Sequence, residues 1–331
     1  MNSKKITDMN ANDYLIEQIN QIDPELFTIE KSDDKGSVLT FWSNVFLKKV
    51  ADAMTQFWYN WSQKYREKAT EEELCAQCFL QMIITKIKSV QKLGEGIDLL
   101  ISESNHKIYD PSIMAIIQRS IYEMTTLFYY LFVVPDNIEE RRILYLLWRI
   151  KGLYNKLNIS NVPDIHKSAQ EQVKKEISIY IKSIEDNVAK INITTKAKDK
   201  LFKIVKHESF SACGFEFIKD ATGKIKDIEK IKYGDEKRDD VILGKNGFPL
   251  YYRYLSSFVH PSYIGVEQFG TMFNNGISND SEQYEFSMCA ILGSKFVSYF
   301  CKSIKGGKES FNTLTDKQKQ ILKLGDMNLR S

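Results

Sequence analysis

SVLTFWSNVFLKKVADAMTQFWYNWSQKYREK, residues 37–68, decides the fold class. Leu39, Trp42, Phe46, Val50, Met54, Phe57, Trp58 and Trp61 recur along it at three- and four-residue steps. That period lays apolar side chains on one face of an α-helix. The stretch therefore predicts one long helix with a thick aromatic stripe to bury.

The same period continues outward from it. Thr70-Glu-Glu-Glu73 has the spacing of a capping box, which starts a second helix running to about Lys92. Gly94 and Gly96 break that helix before 97–102. Asp110-Pro111 opens a helix that lasts to Val134 and stops at Pro135. Asp136 with Glu139 caps the next, to about Leu157; Pro163-Asp164 opens a lysine-rich one to about Ile191; and 194–207 reads as a shorter one. Residues 215–236, FEFIKDATGKIKDIEKIKYGDE, change character. Two segments of period two flank Thr222-Gly223 and predict a β-hairpin. A polar loop over 235–247 leads to a helix over 248–259, which ends where His260 meets Pro261 because a residue before proline is pushed out of the α region. A core helix over 282–302 and a short one capped by Thr315 and Gln318 complete the chain.

The expectation is an all-α protein, a helical bundle with a small inserted segment that carries the hairpin. Its parts are a polar segment 1–36, a bundle core 37–157, an insertion 158–247, and 248–331, which completes the bundle and carries Arg253 and His260.

Composition agrees with a globular chain. Of 331 residues, 43% are hydrophobic and 27% charged, with six prolines, which excludes disordered and collagen-like classes. A net charge of +3 points neither to nor away from nucleic acid. Residues 171–207 hold nine Lys against five acids, a stretch that suits a phosphate backbone or, more plainly, a solvated helix face. Five scattered cysteines and no leader pattern predict a reduced, cytoplasmic setting. Cys75-Ala-Gln-Cys78 lies in a helical pattern with no second pair, so neither a metal nor a cofactor is expected. The apolar run 121–135 contains Glu123 and falls short of the roughly 20 residues a span requires, so no membrane is expected. Phosphate-loop, dinucleotide, metallopeptidase and nucleophile-elbow motifs do not occur.

One stretch carries chemistry. Arg253 and His260 lie seven apart, and seven steps of about 100° return to within roughly 20° of the start. A guanidinium and an imidazole thus share a face, the imidazole at a helix C-terminus. The Arg suits phosphate oxygens and the His suits proton transfer near neutral pH. The plainer alternative is a surface Arg and a helix-terminal His bonded to carbonyls.

With six residues between, Arg253 and His260 resemble the signature of the HEPN superfamily of nucleotide-binding helical domains. RSIYEMTTLFYYL at 119–131 together with YRYLSSFVHPS at 252–262 is also similar to paired blocks in a group of bacterial helical proteins. The resemblance covers about half the chain, roughly 75–157 and 248–303. It implies a metal-independent endoribonuclease with Arg253 and His260 catalytic, working with RNA as substrate, as a homodimer, in a defence or toxin setting with an antitoxin or defence partner. It also admits, as the runner-up, a catalytically silent nucleotide-binding or sensor module, and a purely structural interaction protein stands as a third option.

Four further residues are candidates to line the site. Arg119 and Glu123 are i,i+4 on an apolar helix and form either a register-fixing ion pair or part of a cavity. Ser256 and Ser257 are small residues near the same helix end, explained as well by packing as by chemistry, with no Asp at a spacing that completes a triad. His106, His166 and His207 are isolated. Homodimerisation is expected through 248–303, where Tyr251, Leu255, Phe258, Phe286, Met288, Ile291 and Leu292 form an apolar face.

Overall fold

The computed structural model describes residues 38–101, 104–108, 110–157, 167–206, 214–233, 248–259, 262–275 and 279–325. The segment 1–36, the helix start at Pro163, the loop 235–247 and His166, His207 and His260 lie outside the described residues, as does the side chain of His106.

The protein is all-α with small antiparallel hairpins. In chain order the helices are α1 (Val38–Tyr65), α2 (Glu71–Leu93), α3 (Pro111–Phe128), α4 (Ile138–Leu157), α5 (Lys167–Val188), α6 (Thr195–Lys206), α7 (Phe248–Val259), α8 (Tyr263–Asn275), α9 (Asn279–Ser303), α10 (Gly307–Asn312) and α11 (Asp316–Gly325). A π-helical turn, Tyr129–Val133, follows α3. The strands are β1 (Ile97–Ile101), β2 (Ser104–Ile108), β3 (Gly214–Lys219) and β4 (Ile225–Ile231), paired as β1–β2 and β3–β4.

Local chemistry explains most helix starts. Thr70 N–H donates to Glu73 Oε2 (2.8 Å) and Glu73 N–H to Thr70 Oγ1 (3.3 Å), closing the capping box of α2. Asp110 Oδ1 accepts from the Ser112 amide at 2.8 Å and starts α3. Thr315 and Gln318 make the reciprocal pair before α11. The cap of α4 differs from the expected Asp136/Glu139. Asn137 Oδ1 accepts from the Glu140 amide (2.8 Å), and Glu140 Oε2 accepts from the Asp136 amide (3.2 Å), one residue further on.

The expected hairpin is β3–β4, with Gly223 at φ +80° in its turn, a conformation glycine adopts without strain. Asp220 organises that turn: its carboxylate accepts from the hydroxyl and amide of Thr222 and from the Lys224 amide, which hold it below the usual carboxylate range. A second hairpin, β1–β2, stands where the sequence suggested only a break and an isolated His106; His106 pairs in it with Leu99.

The chain divides into two compact units, one of residues 1–69, 76–125 and 250–331, the other of 70–75 and 126–249. Helix α4, assigned from sequence to the 37–157 core, falls in the second. In the first, α1 buries Leu47, Val50, Met54, Phe57 and Trp61 completely. Phe300 of α9 meets Phe57 and Trp61 edge-on, with ring centres 5.5 and 5.6 Å away, and Trp61 Nε1 donates to the Lys305 carbonyl at 2.9 Å. Tyr251, Leu255, Phe258, Phe286, Met288 and Leu292 are also buried within the single chain. Of the face expected to dimerise, these six residues are therefore core, and Ile291 is half-buried.

In the second unit α4 and α5 pack together, and α6 lies on β4, with Leu201, Val205, Phe215, Ile225, Ile228 and Ile231 buried. Lys151, only 5% exposed, donates from Nζ to the Ile204 carbonyl (2.6 Å) at the C-terminal end of α6. Burial, reinforced by Lys230, lowers its pKa from 10.5 to about 8, although the carbonyl favours the ammonium. Between pH 8 and 10.5 the unfolded chain keeps this proton and the folded chain has released it, so stability rises with pH across that window. Urea midpoints of the wild type should accordingly gain on those of Lys151→Met as pH increases from 8 to 10.5. A difference that stays flat or shrinks would contradict this.

Candidate functional site

Helices α3 and α7 bring the candidate residues of the first unit together. Tyr251, Leu255 and Phe258 form the buried face of α7. Arg253 lies about 200° around the axis from Tyr251, and its side chain is exposed. α7 ends at Val259, where the His260-Pro261 step predicted a stop.

Arg119 and Glu123 do form an ion pair, Nε to Oε1 at 2.8 Å, with side chains 21% and 28% exposed. Its third member is Tyr252. Arg119 Nη2 donates to the Tyr252 hydroxyl (2.7 Å), and that hydroxyl donates to Glu123 Oε1 (3.1 Å). The guanidinium also lies 4.8 Å from the centre of the Tyr252 ring, and Tyr122 packs against that ring at 5.8 Å. Partial burial opposes the charge on Arg119, but Glu123 and Tyr252 outweigh it and raise its pKa. Burial, then Glu123, raises the pKa of the Tyr252 phenol. Beneath this triad Tyr251 donates to Gln118 Oε1 at 2.7 Å in the core. Charge, ring and hydroxyl satisfy one another here, so the triad clamps α7 to α3. Arg253, the next residue, is left outside it.

The serines have backbone roles. Ser256 Oγ donates to the Tyr252 carbonyl (2.6 Å) and Ser257 Oγ to the Tyr254 carbonyl (2.7 Å), which engages both hydroxyl protons within α7. Ser262, which no motif singles out, does more. Its Oγ donates to the Ser257 carbonyl (2.6 Å) and accepts from the Gly265 amide (3.0 Å). One hydroxyl thus caps the end of α7 and the start of α8. Gly265 permits this approach, since a Cβ there would sit 3.2 Å from the Ser257 carbonyl oxygen and 3.3 Å from Ser262 Oγ. The Ser257–Ser262 bond closes across the chain segment containing His260. Ser262→Ala should lower stability by about 0.5–2 kcal/mol, the usual cost of a lost N-cap. Ser256→Ala should change it by less than about 0.5 kcal/mol, as away from caps and core. Thermal melts of the two variants check the contrast.

In the second unit one ionisable cluster is paired. Arg149 bonds Glu71 and, at 2.8 Å, Glu176; Arg142 bonds Glu72; and Tyr180, pushed up to about 12 by burial and by its 2.6 Å bond to Glu176, completes a structural network. Cys75 is half-buried beside Tyr145 and Cys78 is exposed. Among the described residues no group of three or more His, Cys, Asp and Glu could hold a metal, and no helix is long and apolar enough to cross a membrane.

The model of a family of unknown function matches residues 82–277, more than half of the chain and a span that includes every candidate residue. No curated protein and no solved structure matches the chain.

Proposed function

The chain belongs to this family of unknown function, DUF5677, and from the resemblance of Arg253 and His260 to the HEPN signature we propose that it is a metal-independent endoribonuclease with these two residues as its catalytic pair. One observation carries the proposal: Arg253 is exposed on α7, on the side of the helix away from the buried Tyr251, in the same helix that ends just before His260. A guanidinium at the surface can meet phosphate oxygens with paired N–H donors. In the reaction the RNA 2′-hydroxyl attacks the adjacent phosphorus. His260 takes its proton, Arg253 neutralises the phosphorane, and the 5′-oxygen of the next nucleotide leaves with a proton, producing a 2′,3′-cyclic phosphate.

The leaving oxygen requires a proton donor, and one His per site must then serve twice or be joined by a second. A second copy of the chain would supply it. Tyr263 and Val266, 78% and 65% exposed in the first turn of α8, offer a contact surface a few residues beyond His260. Light scattering should then give a dimer mass that Val266→Asp reduces to a monomer.

A silent binding module is the competing reading, favoured by the backbone roles of Ser256 and Ser257. The experiment that separates them is incubation of the purified protein with total RNA in EDTA. A nuclease of this kind yields fragments with 2′,3′-cyclic phosphate ends, whereas RNA recovered intact in every buffer leaves the binding module.

A further inference from the structure

We propose that an uncharged groove between the carboxyl-terminal half of α1 and the α10–α11 corner binds a single unpaired nucleobase, carried by a free nucleoside or by single-stranded nucleic acid. Gln56, Tyr59, Asn60 and Gln63 occupy one face of α1 at i, i+3, i+4 and i+7. Thr313, Thr315 and Gln318 form the opposite wall of a space of about 440 Å³. In a chain of which 27% is charged, no charged side chain lines this groove among the described residues.

The wall is organised before any ligand arrives. Gln56 Nε2 donates to Asn60 Oδ1 (2.7 Å), and Asn60 Nδ2 donates to Thr313 Oγ1 (2.9 Å), tying the two walls together. Gln318 Oε1 accepts from the amide and hydroxyl of Thr315, which leaves its Nε2 hydrogens to donate. Gln56 retains an acceptor oxygen beside its remaining N–H. Paired donors and acceptors on planar amides match the edges of nucleobases, as Asn and Gln do with adenine. The Tyr59 ring, 51% exposed, supplies a stacking face. Phosphate calls for Lys or Arg, and sugar diols are best gripped by carboxylates; the groove has neither. The base enters, and its sugar and phosphate stay in solvent.

The site is independent of Arg253 and His260, and the test keeps them apart. The full chain is titrated, by calorimetry and with tyrosine fluorescence, with adenosine, guanosine, cytidine and uridine, with a short single-stranded oligonucleotide, and with methyl glucoside and inorganic phosphate. At least one nucleoside should bind with a millimolar or tighter Kd, unaffected by salt because no phosphate is held. Tyr59→Ala should weaken it about tenfold or more, the scale of one lost base stack, and Gln63→Ala should weaken it severalfold. Tyr59 and Gln63 face solvent, so both variants should melt as the wild type does. Tighter binding of the oligonucleotide that persists in Arg253→Ala and is lost in Tyr59→Ala identifies a strand as the natural source; binding equal to that of the nucleoside identifies the free nucleoside. The proposal is overturned if no nucleoside binds, if both variants bind as the wild type does, or if only the glucoside or phosphate binds. Arg253→Ala should leave the nucleoside titrations unchanged, so loss of RNA cleavage and loss of base binding are separately readable.

Discussion

Arg253→Lys is expected to reduce RNA cleavage by about a hundredfold or more, the scale on which loss of one preorganised donor to a developing oxyanion is felt. Lysine keeps the charge but loses the fork of N–H groups that meets two phosphate oxygens at once. His260→Ala should abolish cleavage, because the 2′-hydroxyl then has no base. Neither result is interpretable without stability. Arg253 is exposed and packs into no core, so Arg253→Lys should melt within about 0.5 kcal/mol of the wild type, as surface substitutions generally do. Cleavage kinetics and thermal melts on the same samples give both numbers. Full activity in both variants would remove the catalytic pair.

The largest expected stability effect lies at Phe300. Its side chain is fully buried and edge-on to Phe57 and Trp61 of α1. Phe300→Ala should cost about 3–5 kcal/mol, combining lost transfer energy with a cavity that two rigid aromatic neighbours cannot fill. Phe300→Leu should cost less, since more volume remains. Urea denaturation with an unchanged m-value measures both; equal midpoints for Phe300→Ala and the wild type would mean that α1 and α9 do not share this core.

What was legible in the sequence was local. Helix starts at Thr70, Pro111 and Thr315 follow from bonds made within three residues, and so does the turn at Gly223. The cap of α4 was misplaced by one residue because both spacings satisfy the local rule, and Lys219 of β3, 2.8 Å from Glu140 Oε2, adds a partner far along the chain. β1 and β2 are five-residue strands whose sequences, IDLLI and SNHKI, lack the alternation that would announce them. The apolar stripe of α7 was visible, but period alone does not say whether the same chain or another covers it. Tyr252 was hidden in a run of aromatics because its partners stand 129 and 133 residues away.

The hydroxyl of Ser262 makes the distance from Arg253 to Gly265 a quantity the chain cannot trade. It joins the Ser257 carbonyl on one side to the Gly265 amide on the other, and a Cβ on Gly265 would crowd the Ser257 carbonyl oxygen at 3.2 Å and Ser262 Oγ at 3.3 Å. Adding or deleting one residue between Arg253 and Ser257 would turn the guanidinium by about 100° against this joint. Between Ser257 and Ser262 the same change would alter the length of chain that this one bond closes. Variation in length within the family is therefore expected before α7 or beyond the first turn of α8, with the interval between them copied unchanged.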